Sequence, residues 1–191
     1  GEILGVAGVE GNGQNQLVQA ITGLIEYQAG SIQVNGTEVK EQSIRALRQD
    51  LRISHIPEDR MTIGVAPTLS ITENMLADKI DRSQFKRGPL LDRKAIQSYG
   101  RDMVEEYGIL AHSPDVAIAS LSGGNIQKAV LARELSCSPD IIVANQPTRG
   151  VDVGASEFIR KMLVEMRDAG KTVFLVSGDL NEILGLSDRL L

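Results

Sequence analysis

The sequence predicts an α/β fold, a mostly parallel core sheet with an α-helical subdomain inserted into it. Three observations carry this. Short apolar runs alternate with longer helical patterns, those runs are apolar at consecutive rather than alternate positions, and a glycine-rich turn joins the first run to the first helix. Consecutive apolar residues mark strands buried on both faces, as in a parallel sheet covered by helices. The core is expected over 1–69 and 121–191, and the helical subdomain over about 70–120.

Residues 3–7 read as a buried strand and about 15–24 as the helix after the glycine turn. Residues 30–36 read as a strand ending in the turn dipeptide Asn35-Gly36. Ser43 is placed to cap a short helix over 44–48, and 53–57 is a strand. In the helix-rich stretch that follows, 71–80 and 93–107 are the best helices, punctuated by Gly88-Pro89. Then come a helix over 125–135, a strand over 141–145, and a helix over 155–167 ended by Gly170. The β-branched strand 172–177 and a helix over 180–186 complete the pattern. Met103, Tyr99 and Tyr107 are expected to pack the helical subdomain.

Composition narrows the function classes. The 191 residues are 42% hydrophobic and 24% charged, which excludes a disordered tail and suits one domain. Twenty basic against 25 acidic residues give a net charge of −5. That leaves no basic footprint for nucleic acid, and 3% aromatic content argues against base-stacking platforms. Cys137 is the single cysteine, so no internal disulfide forms. His55 and His112 are too few and too far apart to suggest a metal site.

The first motif is Gly8-Val9-Glu10-Gly11-Asn12-Gly13-Gln14-Asn15-Gln16, between a strand and a helix. Glycines there let backbone N–H groups curl around a phosphate, and a helix N-terminus favours the anion. A phosphate-binding loop calls for Lys and then Ser or Thr after the last glycine, where Gln14, Asn15 and Gln16 stand. Read by itself, the segment is equally a tight strand–helix turn. The second motif is Leu121-Ser122-Gly123-Gly124-Asn125, opening an amphipathic helix. The strand 141–143, Ala144-Asn145-Gln146-Pro147-Thr148 and Arg149-Gly150-Val151-Asp152 follow at short spacing.

This ordered set resembles the ATP-binding-cassette (ABC) ATPases across essentially the whole chain. The resemblance implies an ABC-type P-loop NTPase fold and a set of roles. Gly8, Gly11, Asn12, Gly13, Gln14, Asn15 and Gln16 fall on the nucleotide-binding loop. Leu121, Ser122, Gly123, Gly124 and Asn125 fall on the signature, which holds the γ-phosphate of ATP bound to a partner domain. Asn145 stands where an aspartate supports Mg²⁺, and Gln146 where a glutamate handles the attacking water. Gly178 falls on the switch histidine, Glu58 on the Q-loop glutamine, and Asp152 on an interface loop. Asp152 has a blander reading as a turn former, and Asp59 with Arg60 as a surface ion pair.

Five departures from the family pattern share one direction. Gln14, Asn15, Asn145, Gln146 and Gly178 each lose a charge, a metal ligand or a proton-handling group. A lysine's attraction for phosphate is about 4 kcal/mol at ~4 Å and an effective dielectric of ~20, before desolvation. Gln146 cannot act as a base, and losing general-base help costs roughly 10²–10⁴-fold. The expectation is a domain whose own site is weak or inactive, with Mg²⁺ and productive ATP mainly at a partner cassette's site. Pro57-Glu58-Asp59-Arg60 and the segment 147–155 resemble the second cassette of tandem simple-sugar and nucleoside importers. Gln146 and Asn125-Ile126-Gln127-Lys128 lean to the nucleoside branch. The resemblance thus implies four things about setting: a first cassette in the same polypeptide, transmembrane permease subunits, indirectly a solute-binding lipoprotein, and a place on the cytoplasmic face of a bacterial membrane. The chain is expected to be the core of one cassette from a longer tandem polypeptide. The other readings are a non-transport ABC protein and an inactive nucleotide-sensing regulatory domain.

Overall fold

The computed structural model describes residues 1–8 and 11–191; Val9 and Glu10 of the glycine-rich segment lie outside the described residues. The chain begins with β1 (Glu2–Ala7), α1 (Gln14–Ile21), β2 (Gln33–Val34), β3 (Thr37–Glu38), α2 (Ile44–Gln49) and β4 (Ile53–Ile56). A single π turn, Arg60–Gly64, precedes α3 (Ile71–Leu76), β5 (Lys86–Arg87), β6 (Leu90–Leu91), α4 (Arg93–Glu106) and α5 (Gly123–Leu135). It ends with β7 (Ile141–Asn145), α6 (Val153–Asp168), β8 (Thr172–Ser177), α7 (Leu180–Leu186) and β9 (Arg189–Leu190). The predicted α/β class with a parallel core sheet is what the chain adopts.

The residues group into two units. The first comprises Gly1–Glu58, Cys137–Arg149 and Phe158–Leu191. It holds a five-stranded sheet in the order β4-β7-β8-β1-β9, in which every pairing is parallel. Register aligns the strand ends: Ala7 faces Ser177, Asn145 faces Val176, and Ile56 faces Ala144. Ile142, Val143, Ala144 and Asn145 are all buried in succession, so both faces of β7 are covered. Val18, Leu47, Ile53, Val143 and Val176 meet in one apolar cluster with Val34 and Val39.

The second unit comprises Asp59–Ser136 and Gly150–Glu157. It is wider than the block expected over about 70–120, because it takes in the π turn and the whole of α5. Ile71, Met75, Phe85, Ile118 and Leu131 are its buried centre, and Phe85 meets Tyr99 edge-on at 5.1 Å. Met103 and Tyr107 are buried. Polar residues set the helix starts: Ser70 and Glu73 form a capping box on α3, Asp92 caps α4 and Ser122 caps α5.

Several elements differ from their sequence reading. The first helix stops at Ile21 rather than near residue 24, because Gly23 takes φ 72° and the Leu24 N–H bonds back to the Gln19 carbonyl, the left-handed ending that glycine permits. The strand read over 30–36 shrinks to Gln33–Val34 and folds back on Thr37–Glu38, since Asn35 and Gly36 both take positive φ, 50° and 79°, the conformation of a tight hairpin turn. The helix read over 71–80 ends at Leu76. Gly88-Pro89 turns a small hairpin, β5 with β6, in a stretch read as helical. The π turn is held by Asp59, whose carboxylate accepts from the Met61 and Thr62 N–H groups and from the Thr62 hydroxyl, while Arg60 donates to the Gly150 carbonyl.

These bonds, the Thr62 hydroxyl foremost, hold the Asp59 carboxyl below its ordinary range. A depressed folded pKa gives stability that is present above the unfolded value and lost as pH falls through the folded one. The Met61 and Thr62 amide resonances are therefore expected to titrate with a midpoint below about 4, the free aspartate value. A midpoint at or above it contradicts this account of the turn.

Candidate functional site

The residues singled out on the first unit follow the C-terminal ends of four neighbouring parallel strands. Gly8 to Gln16 follow β1, Glu58 follows β4, Gln146 follows β7 and Gly178 follows β8. That edge is where open α/β sheets bind ligands. Gly8, Gly11, Gly13, Gln14, Asn15, Gln16, Glu58, Asn145 and Gln146 line one recess of about 100 Å³. Gly11 and Gly13 have φ of 93° and 94° with open space where a Cβ would point, so conformation rather than crowding requires glycine there.

The recess is furnished with neutral amides. The Gln14 Oε1 accepts from the Asn12 N–H at 3.1 Å, and its Nε2 lies where a side chain on Gly8 would go. The Asn145 Nδ2 donates to the Asn15 Oδ1 at 2.6 Å. The Asn15 Nδ2 in turn donates to one Glu58 oxygen at 2.8 Å. Arg149 forms an ion pair with the other Glu58 oxygen. The carboxylate fixes the direction of this chain. Glu58 only accepts, so Asn15 must turn its NH₂ toward it and its oxygen toward the Asn145 NH₂. The Asn145 Oδ1 is left at the far end, buried and without a donor.

Gln146 is held in two ways. Its backbone sits at φ 49°, a left-handed conformation costing about 1–3 kcal/mol outside glycine, while its N–H donates to the Val176 carbonyl. Its Oε1 accepts from the Gly178 N–H at 3.0 Å. Beyond it, the Ser177 hydroxyl donates to the fully buried Glu182, and Arg160 pairs with both Glu182 and Asp179. A wider cleft of about 820 Å³ runs past Gly8, Gln146, Arg149 and Gly178.

The Mg²⁺ that the motifs imply does not fit these donors. The ion demands near-octahedral oxygen coordination. Here the Asn15 oxygen already accepts from Asn145, and both Glu58 oxygens are engaged, one by a guanidinium that repels a second cation. The Asn145 Oδ1 has no donor but is buried.

Leu121 to Asn125 and Asp152 lie in the second unit. Ser122 caps α5, and its Oγ accepts from the Asn125 Nδ2 at 2.9 Å. The Asn125 Oδ1 accepts from the Leu110 N–H at 2.9 Å, tying the signature segment to the loop before it. Both glycines are close-packed. A Cβ on Gly123 would lie 2.8 Å from the Arg60 Nη2, and one on Gly124 2.9 Å from the Ala155 Cβ. Asp152 accepts from the Ala155 N–H at 2.9 Å, which shapes the start of α6.

Sequence reading passed over three groups. Arg149 stands in a motif with no role of its own, although an acidic residue at 58 is a signal that a cation must neutralise it. Arg160 and Glu182 carried no signal in the sequence. Among the described residues no His, Cys, Asp and Glu group is arranged to hold a metal ion, and no helix is long and apolar enough to cross a membrane.

The model of the ABC transporter family matches residues 1–149. The nucleoside import ATP-binding protein NupA of Lactococcus lactis subsp. cremoris is 42% identical over 190 residues, and the guanosine import ATP-binding protein NupO of Bacillus subtilis 41% over 190. A ribose import ATP-binding protein RbsA of Bacillus cereus is 41% identical over 192 residues. All of this chain aligns in each case, against 37%, 37% and 38% of those proteins, so it spans little more than a third of their length. Among solved structures, dimeric MJ0796, a bacterial ABC transporter cassette, superposes with a TM-score of 0.83 at 23% identity, covering 100% of this chain and 80% of that one. At that identity the likeness is one of fold.

Proposed function

The chain belongs to the ABC transporter family, and from that premise we propose that it is an ATP-binding cassette of the nucleoside and sugar importer type, acting as the degenerate second cassette of a tandem import ATPase. In this reading its signature closes over ATP held by the first cassette, and its own site does not hydrolyse. The assembled transporter couples ATP turnover at the partner's site, with its Mg²⁺, to uptake of nucleosides or simple sugars. Permease subunits and a solute-binding lipoprotein complete it on the cytoplasmic face of the membrane.

The observation that carries the reading is the contrast between two clusters. Where the water-handling carboxylate would stand, Gln146 offers a carboxamide already tied to the Gly178 N–H. A carboxamide takes up no proton at neutral pH. Ser122, Gly123 and Gly124 keep the capped, close-packed start of a 13-residue helix, where backbone N–H groups and the helix dipole favour a phosphate. Nucleosides come before sugars as cargo because Gln146 and Asn125-Ile126-Gln127-Lys128 resemble that branch; the relatives at 41–42% identity include nucleoside, guanosine, glucose and ribose import proteins alike.

The test separates the two sites in the assembled transporter. Gln146→Ala is expected to leave ATP turnover within about twofold of wild type, since a group that takes no proton contributes no general-base help. A tenfold loss in steady-state phosphate release would overturn the degenerate-site reading. Failure to co-purify with a permease would favour a nucleotide-sensing regulatory domain.

A further inference from the structure

We infer that this cassette's own site takes nucleotide free of metal, because the chain Arg149–Glu58–Asn15–Asn145 occupies the place and the charge of the divalent ion. The inference rests on reading the loop from Gly8 to Gln16 as a nucleotide cradle, and it goes beyond loss of hydrolysis to name the form of ligand.

Three observations support it. First, the Asn15 and Glu58 oxygens are consumed internally: the Asn15 Oδ1 by Asn145 at 2.6 Å, and the Glu58 carboxylate by Asn15 at 2.8 Å and by Arg149, while the Asn145 Oδ1 is unpartnered but buried. A hydrated dication would have to break both bonds and then sit beside a guanidinium. Second, the Glu58 charge is already balanced. Glu58 brings one negative charge and its partner Arg149 one positive, so that carboxylate calls for no further cation. The Arg149 side chain is half exposed and lines the wide cleft with Gly8 and Gln146, where it can also face phosphate oxygens as a planar, always-charged donor. Third, the described residues of the loop can take an anion. Gly11 and Gly13 hold the backbone in the left-handed conformation, and the Asn12 N–H is engaged by a neutral carboxamide oxygen of Gln14. A phosphate oxygen is a stronger, charged acceptor for that N–H and can displace it by rotation of a flexible side chain.

The ligand class is therefore a nucleoside di- or triphosphate without its metal, held by loop N–H groups and a guanidinium. The Asn15 and Glu58 oxygens instead accept from the amides of Asn145 and Asn15 and from the Arg149 guanidinium.

The experiment is hydrogen exchange on the full-length protein, reading peptides from residues 11–21 during an ATP titration, in Mg²⁺ and in EDTA. These peptides report this site whether or not another site fills. The half-saturating ATP concentrations are expected to agree within about threefold. Protection that weakens tenfold or more in EDTA overturns the inference. So does an absence of protection up to about 5 mM ATP in either buffer, an outcome that leaves the signature-supplying role intact. The triple change Asn15→Thr, Glu58→Gln and Asn145→Asp restores a hydroxyl and a carboxylate to the metal's place. It is expected to make protection at least tenfold metal-dependent, with exchange elsewhere in the chain reporting that it folds. A triple variant that stays indifferent to metal also counts against the inference.

Discussion

Gly123→Asp is expected to reduce ATP turnover by the assembled transporter a hundredfold or more, the scale of losing a donor aimed at developing charge. The geometry explains why the effect exceeds a simple steric one. The direction of a Cβ on Gly123 leads to the Arg60 Nη2 at 2.8 Å and the Gly150 carbonyl at 3.5 Å. A carboxylate placed there draws Arg60 away from Gly150 and puts a negative charge at the helix start that the proposed role reserves for phosphate. Gly123→Ala is the control. It meets the far end of a flexible arginine, which can move, so its loss is expected to be several-fold. Turnover is measured as phosphate release in reconstituted membranes. Gly123→Asp retaining more than a tenth of wild-type turnover contradicts the idea that this signature serves a working site. Paired with an unaffected Gln146→Ala, the result assigns catalysis to the partner and closure to this chain.

The parallel sheet was legible because β7 and β8 carry unbroken apolar runs, and because glycine turns punctuate them. The residues at the end of β7 were legible too, since Asn145 is its last residue and Gln146 follows with no gap. What escaped was short or distant. Gln33–Val34 with Thr37–Glu38 and Lys86–Arg87 with Leu90–Leu91 are strands of two residues each, too short for any period to register. The π turn at Arg60–Gly64 has no periodic signature, and its organiser Asp59 looks like any surface acid. The Glu58–Arg149 pair spans 91 positions, so each residue by itself read as a departure or a bystander. The losses at Asn15 and Asn145 read as independent lesions, yet folding makes them donor and acceptor of one bond. Local chemistry is readable from sequence; mutual compensation appears only once the strands bring the partners together.

The largest expected loss of stability lies away from both sites, at Lys79. Its side chain is 1% exposed, a charge that is costly to bury unless paired. All three of its N–H donors are used: on Asp78 at 2.8 Å, on the Arg133 carbonyl at 2.8 Å, and on the Met75 carbonyl at 3.4 Å. The bond to Arg133 fastens the segment after α3 to α5, the helix that presents the signature. Removing the counter-ion leaves the ammonium in a dry place with two carbonyls. Asp78→Ala is therefore expected to cost about 3 kcal/mol or more, the usual result of breaking a buried pair from one side. Lys79→Met removes the charge itself and fills the same space with an unbranched chain, so its cost is expected to be about 1 kcal/mol or less, or of opposite sign. Urea unfolding of the two variants gives the comparison as shifts in midpoint at constant slope. Equal losses in both would mean that the packing of the lysine stem, not its neutralised charge, holds α3 to α5. The expected order, with Asp78→Ala the worse, would show that a fully enclosed cation is tolerated here only because one carboxylate stands beside it.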